Sequence, residues 1–229
     1  MEKRSLQDGT DSFEVSMFET PKPSRVVLFA VGGGGNPERQ HAPLLAALAA
    51  RGCSIVAPHF ERLPMVPSED DLLTRARRLR LALDAVVRPG VSVAGVGHSL
   101  GAMLLIAFAG GQAWMREGHK LQIAPDSRIE RIALMAPAVG YFQAPSALDA
   151  VRIPILAWAA GGDTIAPPSQ AQYLKRELGD RAPVDLRVAE GAGHFSFLNT
   201  LPPQVSDPLD DREAFLAHLT SEVGDFVLG

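Results

Sequence analysis

The chain has one cysteine in 229 residues, Cys53, so an internal disulfide is impossible and a cysteine-based zinc site is excluded. It sits just ahead of a strand-like run, where a buried structural thiol is expected. No stretch reaches the roughly 18 uninterrupted apolar residues of a membrane span. Residues 1–9 carry charges but no apolar run behind them, so no signal peptide is expected and the expected location is cytoplasmic. Basic charge is not in excess: 22 Lys and Arg face 26 Asp and Glu, a net charge of −4, with a pI near 5.9. Neither nucleic acid nor an anionic membrane is therefore expected as a partner. His41, His59, His119 and His218 are scattered without metal-ligand spacing. There is no internal repeat, low-complexity tract or linker, so residues 1–229 read as one domain, with 1–12 an edge segment or disordered.

What is present is a soluble globular composition, 46% hydrophobic and 21% charged, in which strand-like and helix-like segments alternate. Strands are expected at 13–18, placed at a sheet edge, and at 25–31, 54–57, 91–96, 129–135, 155–159 and 184–188. Asn36-Pro37 opens a helix that stops near Arg51-Gly52, and Ser68 to Asp71 cap an amphipathic one carrying Leu72, Leu73, Ala76, Leu79, Leu83 and Val86. Further helices are expected at 102–109, 170–178 and 211–227. This order predicts an α/β protein, a mainly parallel sheet flanked by helices on both faces. The interval 136–154 is too short for a sizeable lid domain.

The most informative stretch is Gly97-His98-Ser99-Leu100-Gly101, held between the β-branched run 91–96 and an apolar helix. That context turns G-x-S-x-G from a weak pattern into a nucleophile elbow, a sharp turn that lifts a serine hydroxyl to the carboxyl edge of the sheet. A plain helix N-cap is the alternative role for the serine, and the two flanking glycines argue against it. His98 is expected to pack its ring under the elbow.

A serine hydroxyl needs an adjacent base, and the base needs an orienting carboxylate. Asp163 follows an apolar strand and two glycines, and His194 lies in the glycine-rich loop after the next strand. The order Ser, Asp, His is the one this topology requires. Ser99 is read as nucleophile, His194 as base then acid, and Asp163 as the group holding the imidazole tautomer. Asp163 could instead cap the following helix, and Asp185 and Glu190 are competing acids, less well placed.

An oxyanion formed at such a serine needs two donors. One is expected from the backbone N–H of Leu100, the other from the loop Gly32 to Gly35, with Gly33 the choice. A phosphate cradle on the same glycines is weak, since no G-K-[ST] follows and Pro37 stands where a G-x-G-x-x-G pattern needs glycine.

These residues together resemble the α/β-hydrolase fold family, and more narrowly bacterial proteins described as dienelactone-hydrolase-like. The carriers are Phe29 to Glu38, Gly97 to Ala102, Met135 to Ala138, Ala159 to Pro167 and Gly191 to Leu198. The resemblance implies Ser99, Asp163 and His194 as a triad, with Gly33 and Leu100 as the oxyanion hole. Two departures stand out. Many relatives have His-Gly where this chain has Val31-Gly32, so a hydrogen bond that braces that loop is missing. Dienelactone hydrolase itself uses a cysteine nucleophile, and its lactone substrate is not carried over.

The expected function is a serine hydrolase, of carboxylic esters with small or medium acyl groups, needing no metal or organic cofactor. The open cleft is expected to be lined by Gly33, Gly34, Phe60, Leu100, Tyr141, Phe142, Ile165 and Phe195. The alternatives are a thioesterase, acyltransferase or cofactor-free oxidoreductase on the same triad, or a non-catalytic binding protein of this fold. The oligomeric state is open between monomer and homodimer.

Overall fold

The computed structural model describes residues 2–229, so Met1 of the 1–12 segment lies outside the described residues. The strands are β1 (Glu2–Asp8), β2 (Asp11–Phe18), β3 (Arg25–Ala30), β4 (Cys53–Pro58), β5 (Val93–His98), β6 (Ile129–Met135), β7 (Ile155–Ala160) and β8 (Val184–Ala189). They form one eight-stranded sheet in the order β1-β2-β4-β3-β5-β6-β7-β8. The first two strands are antiparallel to their neighbours, and all pairs from β4 to β8 are parallel. Strands β5 and β7 are buried along their whole length, which is why they read as continuous apolar runs rather than alternations.

Residues 13–18 are not the edge. The outermost strand is β1, paired with β2 from Glu2↔Met17 to Asp8↔Asp11 around a Gly9-Thr10 turn in which Gly9 has φ +66°. Residues 1–12 read only as an edge segment or disordered, with no strand assigned, because the side chains of β1 are mostly charged or polar and give little apolar alternation.

The helices are α1 (Pro37–Ala50), α2 (Glu69–Val86), α3 (Leu100–Phe108), α4 (Pro168–Leu178) and α5 (Arg212–Leu228). Helices α2, α3 and α4 bury Leu72, Leu79, Met103, Leu105, Leu174 and Leu178 in one core beneath the sheet. Helices α1 and α5 bury Leu44, Leu45, Leu48, Leu219 and Val223 in the core on the other face. Local chemistry sets their ends. Asn36 caps α1 by accepting from the Arg39 N–H at 2.8 Å, with Pro37 next. Ser68 and Asp71 form a reciprocal capping box on α2.

Between β6 and β7 the chain makes one 3-10 turn, Val139–Phe142, rather than a separate lid layer. The stretch 110–128, with no periodicity to read, folds back on itself through a bridge between Trp114 and Lys120. Because β3, β5, β6, β7 and β8 run parallel, the loops leaving them all emerge at one edge of the sheet. That edge carries Gly32, Ser99, Asp163 and His194.

Candidate active site

Ser99 is the hinge between β5 and α3. It has φ 53° and ψ −117°, a strained conformation for a residue with a Cβ, and its N–H donates to the Met135 carbonyl at 2.9 Å. The turn is possible because Gly101 lacks a side chain: a Cβ there would lie 2.0 Å from the Ala30 carbonyl oxygen. A Cβ on Gly97 would lie 2.8 Å from Leu105 Cδ1 and 2.9 Å from the Ala102 nitrogen. Both glycines let the elbow close against β3 and α3.

The three expected side chains meet. His194 Nε2 lies 3.0 Å from Ser99 Oγ, and His194 Nδ1 lies 2.7 Å from Asp163 Oδ2. A carboxylate accepts, so Nδ1 carries the hydrogen and Nε2 is left to accept from the serine. Asp163 Oδ1 accepts from the N–H groups of Ile165 (2.7 Å) and Ala166 (2.8 Å), which fixes the carboxylate from behind. Asp163 thus serves His194 and its own turn at once. Asp185 instead pairs with Arg187 on β8. All three residues are nearly buried, with exposures of 8% for Ser99, 4% for Asp163 and 7% for His194.

The glycine loop lies against the elbow. A Cβ on Gly32 would come within 3.2 Å of Ser99 Cβ, and one on Gly33 within 3.9 Å of Leu100 Cδ1. Leu100 opens α3, so its N–H belongs to the unpaired first turn of the helix. Among the described residues, no protein group accepts from the N–H of Leu100 or Gly33.

Of the residues expected to line a cleft, Gly34 and Ile165 are exposed, and Phe60, Leu100, Tyr141 and Phe195 are half-buried at the same edge. Phe142 is a correction. Its ring is fully buried in the core against α3 and α4, so it cannot touch a ligand, and its carbonyl accepts from Tyr173. An aromatic just past a strand end reads equally well as wall or core, and here packing decides. A concavity of about 500 Å³ lies at the opposite edge, between residues 87–92 and 127–130, remote from Ser99.

Other residues support the site: the sequence places the His98 ring under the elbow without a partner for it, and singles out neither His41 nor Ser196 for a role. His98 donates from Nε2 to the His194 carbonyl at 3.1 Å, and its ring lies tilted against that of His194 with centroids 5.0 Å apart. Behind it His41, fully buried, lies against Phe29 and His98, and neither ring nitrogen has a partner among the described residues. Burial pushes His41 down to about 3, and burial with the neighbouring rings of His194 and His41 holds His98 well below the usual imidazole range. The His194 loop is fastened by Ser196, whose Oγ accepts from the Gly193 N–H (2.9 Å) and donates to Asp207 (2.9 Å). The proline-containing stretch after residue 195 is thereby tied to the back of the loop.

Arg75 on α2 is 2% exposed and donates to the carbonyls of Gly32 and Glu61, each at 2.7 Å. The signal was visible: position 75 falls three after Leu72 and four before Leu79, on the apolar stripe, where a lone arginine calls for an explanation.

No protein-family model matches the chain, and no curated protein matches it in sequence. Solved structures do match. An α/β hydrolase candidate of unknown function from Agrobacterium tumefaciens superposes with a TM-score of 0.67 at 16% identity, covering 98% of this chain and 94% of that one. A butyrate-bound thermophilic esterase from Thermogutta terrifontis gives 0.71 at 16% identity, covering 99% and 93%. An alpha-beta serine hydrolase homologue from Coxiella burnetii gives 0.63 at 17% identity, covering 99% and 95%. None of the three is described as a dienelactone hydrolase. Identities this low speak for architecture alone, and the architecture is unambiguous: the chain has the α/β-hydrolase fold.

Proposed function

We propose that the protein is a serine hydrolase that cleaves carboxylic esters of small or medium acyl groups through an acyl-enzyme on Ser99. The observation that carries this reading is the unbroken chain of hydrogen bonds from Ser99 Oγ through His194 to Asp163. In the first half-reaction Ser99 Oγ attacks the ester carbonyl carbon while its proton passes to His194 Nε2. The carbonyl oxygen becomes an oxyanion that accepts from the Leu100 and Gly33 N–H groups. As the tetrahedral adduct collapses, the bond to the alkoxy oxygen breaks and the His194 proton goes to that oxygen, releasing the alcohol. Water, deprotonated by His194, then attacks the acyl carbon. Collapse returns the proton to Ser99 and frees the acid. Asp163 holds the imidazole tautomer and stabilises its protonated form throughout.

Gly34, Phe60, Tyr141, Ile165 and Phe195 offer a mixed, partly apolar wall for a short acyl chain. The structurally similar Thermogutta terrifontis esterase, seen with propionate and with butyrate bound and phosphorylated by paraoxon, supports both substrate size and reaction class. The test is capture by a fluorophosphonate probe, together with kcat/KM on nitrophenyl esters of graded acyl length. Native protein should label and turn over the short esters, and Ser99→Ala should do neither. Failure of native protein to label would sink the reading.

A further inference from the structure

The peptide unit joining Gly32 to Gly33 is held at its carbonyl end by a buried cation. Arg75 Nη1 donates to the Gly32 oxygen at 2.7 Å, and Nη2 donates to the Glu61 oxygen at 2.7 Å. The same Nη2 lies 3.5 Å from the Gly33 oxygen. The guanidinium stacks over the Phe60 ring, 4.7 Å from its centroid. The Gly33 carbonyl is also engaged, accepting from the Leu63 N–H at 2.9 Å, and the Gly35 carbonyl accepts from the Phe60 N–H at 2.8 Å. Two consecutive glycines thus have both carbonyls taken on the side of α2 and the 59–63 loop.

A trans peptide is planar and sets its N–H opposite its C=O. The described residues contain no cis peptide bond. Fixing the Gly32 oxygen toward Arg75 therefore fixes the Gly33 N–H away from it, and that N–H has no protein acceptor among the described residues. Glycines by themselves give no such control, since a peptide between two of them can rotate cheaply.

We propose that Arg75 is a positioning residue that sets the Gly32–Gly33 peptide so that the Gly33 N–H faces the oxyanion formed at Ser99. This rests on the hydrolase reading above. A positive charge on the carbonyl end of a peptide also polarises the group, making its N–H a stronger donor. Burial pushes Arg75 down to about 10, which leaves it cationic at neutral pH. Asp71 is its coulombic neighbour. Its hydrogen-bond acceptors are all backbone oxygens, so the charge is not spent on a carboxylate bond.

The experiment compares Arg75→Met and Arg75→Lys with the native protein on a nitrophenyl butyrate substrate and a trifluoromethyl ketone inhibitor, which forms an anionic adduct with the serine. In Arg75→Met, kcat should fall about 10²- to 10³-fold, as when one oxyanion donor is lost, with KM little changed. Inhibition by the ketone should weaken by the same factor. Arg75→Lys keeps the charge but cannot bridge two carbonyls, and should lie between, with kcat at least about tenfold below native. If Arg75→Met does not fold, Arg75→Lys decides alone. Native kcat and ketone affinity in the folded variants overturn the proposal, as does a loss that appears in KM and leaves ketone binding proportionate to substrate binding. If the native protein neither labels with fluorophosphonate nor hydrolyses esters, the hydrolase reading falls and takes this one with it. Labelled native protein with unaffected Arg75 variants removes this inference alone.

Discussion

His98 and His194 are joined by a 3.1 Å hydrogen bond from the ring of one to the main chain of the other. The residue that precedes Ser99 in sequence thus holds the loop that carries His194. His98→Phe keeps most of the volume and removes the donor. A hydrogen bond of this kind contributes about 1 kcal/mol, so kcat should fall about fivefold with KM nearly constant. Steady-state kinetics on a short ester checks this, and an equal loss in KM would show that the ring shapes the cleft instead.

Asp163 is bonded to His194 and to two backbone amides, so Asp163→Asn should fold normally. The amide can donate to the imidazole and stabilise the wrong tautomer. A loss in kcat of about 10⁴-fold is expected at neutral pH. The same protein should label with fluorophosphonate far more slowly than native, and native labelling would remove Asp163 from the triad.

His41 gives an acid-side stability prediction. Its folded pKa is depressed to about 3 from an ordinary value of 6.5. Between those values the unfolded chain binds the extra proton, so stability is present above pH 6.5 and is lost as pH falls toward 3. The slope from one such group is about 1.4 kcal/mol per pH unit. His41→Leu removes the group and its two unpartnered nitrogens, and should be as stable as native at pH 7 and flatter below pH 6. Denaturant melts at pH 7, 6, 5 and 4 measure it, with His98 contributing a residual slope of the same sign.

Glycine substitutions separate packing from chemistry. Gly101→Ala forces a methyl to within 2.0 Å of the Ala30 oxygen, a backbone atom that cannot move cheaply, and should cost about 3 kcal/mol or more. Gly33→Ala meets nothing closer than 3.9 Å and should melt within about 1 kcal/mol of native. Thermal melts of the two proteins, run side by side, give the answer.

The parallel half of the sheet was legible because each buried strand is a short apolar run closed by glycine or a cap. Ile129–Met135 appears with the predicted ends, and the elbow was readable because the strand, turn and helix around Ser99 are contiguous. Elements that depend on partners far away were not. Strand β1 is stabilised by pairing with β2, and its own sequence is polar. Phe142 was placed on the wrong side of the surface because only α3 and α4 together define where the core ends. Arg75 and His41 lay in plain view, but a buried polar group takes its meaning from neighbours 43 positions away in the case of Arg75 and Gly32. The meeting of Ser99 with His194 spans 95 positions, and was predictable only because the topology dictates where loops emerge.

Strand β1 has a consequence for how copies of the chain meet. Its unpaired rim is fringed by ion pairs, Lys3 with Glu14 and Arg4 with Glu2 and Glu19, each at 2.9 Å, and the far rim at β8 carries Arg187 with Asp185 and Glu222. An incoming strand would have to strip water from these charges before it could bond to either rim. Growth of the sheet from molecule to molecule is therefore opposed at both ends, and concentrated solutions should resist fibril formation through that route.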